Sequence, residues 1–172
     1  MKTSAEGLAL IEHYEDDRLV SYPDPKTGGA PWTIGKGATG PGIGPGLIWS
    51  QQQSDDRFAS DVAERERIVN ATVKVTLEQG MFDAMVSIVF NVGPGNANKD
   101  GIMRLKNGKP STLLRLLNAG DYQGAYAQFA VWISPGSSVE LGLRRRRRAE
   151  QGLWQGLTAR DAIAVALAQF PR

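Results

Sequence analysis

Cysteine is absent from this 172-residue chain, and histidine occurs once, as His13. The first absence rules out disulfides, thiolate nucleophiles and cysteine-ligated metals. The second sets aside a histidine-built zinc site and leaves little basis for a Ser-His-Asp triad. No apolar run approaches the roughly 18 residues that span a bilayer. The N-terminal stretch, with Glu6 inside its short apolar segment and acids soon after, does not read as a signal peptide. No internal repeat or low-complexity tail is present. Any chemistry therefore has to rest on carboxylates, hydroxyls and amides, and neither a metal nor a cofactor is expected.

What is present reads as a soluble globular chain with 41% hydrophobic and 22% charged residues, long enough to bury a core. The formal net charge of +2 is unevenly spread: Glu12, Glu15, Asp16 and Asp17 crowd the start, while Arg144 to Arg148 form an unbroken basic run. The expected class is α+β and mostly helical. Thr3 to His13 predicts a first helix with a Thr3-x-x-Glu6 capping box and Leu8, Leu10 and Ile11 on its apolar side. Leu19 to Thr39 predicts a hairpin or three-stranded sheet, and "GPGIGPG" (Gly40 to Gly46) a loop whose prolines argue against a phosphate cradle. Ser54 to Lys74 predicts a long helix capped by Ser54, with Phe58, Val62, Val69 and Val73 as its stripe. Met81 to Val92 is apolar almost all round, as in a buried helix. "GNANKDG" (Gly95 to Gly101) lacks the ligand spacing and closing glutamate of a calcium loop and reads as a polar turn. Ser111 to Ala119 is a further helix stopped by Gly120, and Asp121 caps the next, which carries Tyr122, Tyr126, Phe129 and Ala130. The arginine-rich stretch through Trp154 and the segment after Thr158 complete the helices. The arginine run spreads its charges around a helix axis. It reads mainly as a solvated face, with one i,i+4 pair from Arg146 to Glu150 and a subsidiary role in docking anionic envelope material.

A glycosidic bond breaks when its leaving oxygen is protonated while a second group stabilises the sugar cation or activates water, so two facing carboxylates suffice. Asp24, between Pro23 and Pro25, is stiffly displayed, because each proline fixes its own φ and Pro25 biases Asp24 toward an extended backbone. A plain surface turn fits Pro-Asp-Pro equally well. The residues alone also leave open which of Glu12, Glu15, Asp16 and Asp17 is its partner.

The order Tyr14-Glu15, Arg18-Leu19, Tyr22, Asp24, then Trp32-Thr33-Ile34-Gly35 and Gly37, resembles the phage lysozyme family of glycoside hydrolases. "FDAMVSIVFNVG" (Phe82 to Gly93) is similar to that family's central helix. "GLRRRRRAEQGLW" (Gly142 to Trp154) is similar to its closing element. The resemblance implies a two-lobed lysozyme-like fold in one domain, 1–172. It implies a small lobe at about 15–60, a connecting helix at about 54–75, and a helical lobe at about 76–172 plus the first helix. It also implies that Glu15 is the general acid, that Asp24 positions or activates water, and that the Thr33 hydroxyl helps hold that water. Inversion would follow, with carboxyl groups roughly 6.5 to 9.5 Å apart. Asn91 and Arg144 are carried as substrate-binding candidates. The chain departs from the family pattern at Asp16, where glycine is usual, at Ala38, where histidine is usual, and in the eight residues between Asp24 and Thr33.

The implied activity is a muramidase acting on the β-1,4 bond between N-acetylmuramic acid and N-acetylglucosamine in peptidoglycan, in bacteriophage host lysis. The protein would be a monomer without stable membrane insertion, held in the host cytoplasm until a holin admits it to the periplasmic wall. Two other readings stand beside it. A lytic transglycosylase needs one acid and leaves an anhydro end. A non-catalytic basic module would rest on Arg144 to Arg148, but the near-neutral charge and the lack of a nucleic-acid motif weaken it, and no nucleic-acid partner is expected.

Overall fold

The first helix starts later than its capping box suggests, because Ser4 takes the cap. In the computed structural model, which describes residues 1–24 and 27–171, α1 spans Ala5–Tyr14. The Ser4 Oγ accepts from the Gly7 N–H at 3.3 Å. Glu6 does not fold back on Thr3. Its carboxylate accepts instead from the Ala159 N–H at 2.6 Å, on another helix. The Thr3 N–H is satisfied by Glu66 at 2.7 Å.

The following elements are β1 (Arg18–Pro23), β2 (Trp32–Gly35), α2 (Gln51–Thr72), α3 (Gln79–Val92), α4 (Thr112–Asn118) and α5 (Tyr122–Gln128). A 3-10 turn (Phe129–Val131), α6 (Glu140–Trp154) and α7 (Ala159–Gln169) complete the order. The class is α+β and mostly helical, as expected. The strands form one antiparallel pair. Within Leu19 to Thr39 the three-stranded alternative shrinks to an isolated bridge between Ile34 and Ala38, and a second bridge joins Val20 to Ile48 beyond that span. Helix α2 begins earlier than expected because its cap is Ser50. The Ser50 Oγ accepts from the Gln53 N–H at 3.2 Å, and the Gln53 side chain accepts from the Ser50 N–H at 2.8 Å, a reciprocal box. Ser54 lies inside the helix with its hydroxyl committed elsewhere. No helix among the described residues is long and apolar enough to cross a membrane.

The chain divides into two compact units, residues 12–64 and residues 1–11 with 65–172, so the unit boundary falls within α2. In the larger unit α3 is buried from Phe82 to Val89. Leu113, Leu117, Phe129, Ala149 and Leu153 are also fully or almost fully buried there. At about 1.5 to 3 kcal/mol for each large apolar side chain, this core is the main stabilising term. Helices α6 and α7 approach closely at Gly152, where a Cβ would stand 2.6 Å from the Ala162 Cβ. Ser111 caps α4 by accepting from the Leu114 N–H, and Asp121 caps α5, as expected, by accepting from the Gly124 N–H. The Gly95–Gly101 segment is a turn in which the Asn96 side chain accepts from the N–H groups of Asn98 and Lys99. In the smaller unit the buried apolar residues are Ile34, Ala38, Phe58 and Val62.

Candidate active site

Glu15, Asp24 and Thr33 all fall within the unit formed by residues 12–64. Glu15 follows the last residue of α1, half-buried, and its N–H donates to the Glu12 carbonyl at 3.3 Å. The turn after β2 passes close to its carboxylate. A Cβ added at Gly37, where φ is +85°, would sit 3.2 Å from Glu15 Oε2. Glycine meets both demands at once, the left-handed backbone and the space for a side-chain oxygen.

The sheet register pairs Arg18 with Gly35, Tyr22 with Thr33 and Pro23 with Trp32, with an irregularity between Arg18 and Tyr22. Tyr22 is the hub of this arrangement. The Arg18 guanidinium stands 4.1 Å over its ring. Burial raises the Tyr22 phenol above its ordinary value, and the negative charges of Asp16 and, more weakly, Glu15 add to the rise. Arg18 and a hydrogen bond from Thr33 oppose it. Thr33 thus meets the phenol directly, and Glu15 is only the weakest of the charges acting on it. In the sequence Tyr22 is one letter of the family pattern, and its place opposite Thr33 comes from the strand register.

The main chain holds Asp24 from both sides. Its N–H donates to the carbonyls of Gly29 and Pro31 at 3.0 and 3.1 Å. Its own carbonyl accepts from the N–H groups of Thr27 and Gly28 at 3.2 and 2.8 Å. The contribution expected of Pro25 lies outside the described residues. The residue is pinned by this loop's own hydrogen bonds, which gives the displayed carboxylate a fixed base.

The crowded acids separate by role. The Asp17 carboxylate accepts from Ser54 Oγ at 2.6 Å and from Gln51 Nε2 at 2.7 Å, tying the strand entry to α2. Glu12 shares Lys36 with Asp55, at 2.7 and 2.9 Å, and the Lys36 ammonium also lies 4.9 Å from the Phe58 ring centre. Burial works to lower Lys36, but the hydrogen bonds to Glu12 and Asp55 prevail and leave it raised. Glu12 and Asp17 therefore brace the framework around Glu15.

Asn91 and Arg144 lie in the other unit. Asn91 Oδ1 accepts from Arg147 Nη2 at 2.8 Å. Since arginine only donates, this contact fixes the amide orientation and turns Nδ2 away from Arg147. Arg144 pairs with Glu140 at 2.6 Å on the exposed side of α6. The expectation of a mostly solvated arginine face is overturned. Only Arg144 is exposed, Arg145 and Arg148 are half-buried, and Arg146 and Arg147 are buried. The cause is Glu150, which has no exposed surface. It meets Arg147 at 2.9 Å and Arg146 at 3.5 Å, the second being the expected i,i+4 pair, and accepts from Ser87 Oγ at 2.7 Å. Burial pushes the Glu150 carboxyl up, against the pull of Arg147, Arg146 and the Ser87 hydroxyl.

Comparison with known proteins adds four findings. The model of the family described as phage lysozyme matches residues 12–150. An endolysin of Acyrthosiphon pisum secondary endosymbiont phage 1 is 35% identical over 90% of this chain and 99% of that protein. An endolysin of Bacillus phage B103 is 34% identical over 90% of this chain, which spans only 54% of that protein's length. Among solved structures, the muramidase domain of SpmX from Asticaccaulis excentricus is similar with a TM-score of 0.72 and 28% identity, covering 89% of this chain and 97% of that domain.

Proposed function

The chain belongs to the phage lysozyme family of glycoside hydrolases, and from that premise we propose that it hydrolyses the β-1,4 bond between N-acetylmuramic acid and N-acetylglucosamine in peptidoglycan. Glu15 is the general acid, giving its proton to the leaving glycosidic oxygen as the C–O bond breaks. Asp24 draws a proton from a water on the opposite face of the sugar ring, and the Thr33 hydroxyl holds that water. The water's oxygen bonds to the anomeric carbon, and the configuration inverts.

The observation that carries this reading is the strand register that sets Thr33 opposite Tyr22, with the Glu15 carboxylate lying against the open backbone of Gly37 just beyond the same strand. An acid held by a tight turn and a hydroxyl held by strand register are what such a step uses. The main-chain bonds that fix Asp24 supply a second carboxylate on a stiff base. In biological terms the protein is an endolysin of bacteriophage host lysis. It works as a monomer without inserting in the membrane, and a holin admits it to the wall.

The test is to digest purified peptidoglycan and weigh the fragments by mass spectrometry, with wild type beside Glu15→Gln. Hydrated muramic ends that disappear in the variant, with inverted anomers in early-time NMR, are expected. Anhydro ends would reassign the reaction to a transglycosylase. A variant as active as wild type would remove Glu15 from the chemistry, and reducing ends on glucosamine would place the cut at the other bond.

A further inference from the structure

Glu15 stands between two acids that reach the same helix, Glu12 before it and Asp17 after it. Lys36 Nζ donates to Glu12 Oε1 at 2.7 Å and to Asp55 Oδ1 at 2.9 Å. Gln51 Nε2 donates to Asp17 Oδ2 at 2.7 Å and to that same Asp55 oxygen at 3.1 Å. Glu12, Lys36, Asp55, Gln51 and Asp17 thus form one chain of hydrogen bonds, from the last turn of α1 across α2 to the entry of β1. Within it Lys36 is the cation among three carboxylates.

Lys36 is also the tip of the turn that faces the acid. Ile34 and Ala38 close that turn by exchanging both of their backbone hydrogen bonds at 3.0 Å. The glycines on either side of Lys36 have φ of +59° and +85°. Gly35 lies against α2, where a Cβ would stand 2.6 Å from Ser54 Oγ, and Gly37 lies against Glu15 Oε2. Lys36 therefore belongs by its backbone to the turn beside the Glu15 carboxylate. By its side chain it holds the helical turn from which Glu15 hangs, since the Glu15 N–H donates to the Glu12 carbonyl. A compact ammonium with three donors suits two carboxylates arriving from different helices. The Lys36 side chain is only 14% exposed, against 46% and 47% for Glu12 and Asp55. Losing the lysine frees two acids that already meet water, so the fold loses little. What disappears is the tie.

We propose that Lys36 is a positioning residue for Glu15, clamping the end of α1 to the turn from Gly35 to Gly37 so that the carboxylate keeps one place against Gly37. The inference rests on the role assigned to Glu15 above.

The experiment measures kcat and KM on soluble, uncross-linked peptidoglycan strands for wild type, Lys36→Met, Glu12→Ala and the double variant. Circular dichroism at the assay temperature checks that each is folded. Lys36→Met should lower kcat by about tenfold with KM unchanged, less than the roughly hundredfold that a full ångström of misplacement brings. Glu12→Ala breaks the same clamp from its other end and should lower kcat by a similar factor. The double variant should be no slower than Lys36→Met alone, because residues acting through one contact do not add. An unchanged kcat in both single variants, or factors that multiply in the double variant, overturns the clamp. So does a raised KM with kcat intact, which would make Lys36 a substrate contact. Should Lys36→Met fail to fold, Glu12→Ala reads the clamp by itself. Glu15→Gln in the same assay separates the two readings. If it is inactive while Lys36→Met is unimpaired, only the clamp is lost; if it is active, the assignment of Glu15 falls and the clamp with it.

Discussion

Residues 12–64 and the larger unit use charge in opposite ways. In the smaller unit the framework acids are bound at or near the surface, with Lys36 bridging Glu12 and Asp55 and with Asp17 held by Ser54 and Gln51. Its apolar core is thin, and its fold is fixed by turns and strand register. In the larger unit the corresponding contacts are driven inward, where Glu150, Arg146 and Arg147 are buried beneath α3 residues Ser87 and Asn91. Exposed pairs contribute little and tolerate change, whereas a buried pair punishes the loss of either partner. Substitutions should therefore separate the units: in the smaller one they reach activity before stability, and in the larger one stability before activity.

The sharpest form of that contrast is Glu15→Gln, which should lower peptidoglycan hydrolysis by about 10²- to 10⁴-fold, the usual contribution of a general acid. Its thermal midpoint should match wild type, and a large drop in the midpoint would show Glu15 to be a framework residue. Next comes Glu150→Ala, which strands two buried guanidiniums and should cost about 3 to 5 kcal/mol in urea unfolding. A loss below about 1 kcal/mol would mean that the cluster is no more than a surface ion pair.

Gly37→Ala lies between these extremes. It forces a side chain into left-handed backbone at about 1 to 2 kcal/mol, and its Cβ would crowd Glu15 Oε2 at 3.2 Å. A fall in kcat of about tenfold is expected, less than the hundredfold that a displacement of a full ångström brings. Unchanged kcat with lowered stability would remove Gly37 from the support of Glu15.

The smallest effect is a pH dependence at Glu66. Burial works to raise this carboxyl, but hydrogen bonds from Lys2 and Thr3 together outweigh it and leave it lowered. A depressed acid contributes stability above the ordinary glutamate range near pH ~4.3, and that contribution is lost as pH falls through the folded value. Glu66→Gln should therefore flatten the acid limb of the stability curve below that range and leave its shape at neutral pH alone. An identical acid limb in the variant would contradict the assignment.

Local signals were legible in the sequence where they had no competitor. Asp121 caps the helix it precedes because, among the described residues, no distant group claims its carboxylate, and the run from Met81 to Val92 could be read as buried from its composition alone. Ser54 misled as a cap because Asp17, 37 residues earlier, takes its hydroxyl, and that is a tertiary fact. Thr3 and Glu6 misled for the same reason, through Glu66 and Ala159. The arginines were misjudged because a helix period gives directions around an axis. What stands opposite is decided by α3, whose Ser87 and Asn91 complete the burial of Glu150 and Arg147. Glu12, Glu15, Asp16 and Asp17 could not be told apart by spacing, and the side-chain partners of Glu12 and Asp17 now distinguish those two as braces.

The carboxylate of Glu6 accepting from Ala159 joins positions 153 residues apart. The unit it helps close is interrupted in the chain by the whole of residues 12–64. During synthesis the inserted segment therefore emerges entire while its host is still in two pieces, and the first helix waits for α7 before its Glu6–Ala159 contact is made. Closing so long a loop adds little to the thermodynamic cost, since that cost grows only with the logarithm of length. It delays the event, because distant contacts are made late in folding. The order of birth is thus the reverse of the order of robustness: the thin-cored segment that carries Glu15, Asp24 and Thr33 is available first, and the thick-cored host is finished last.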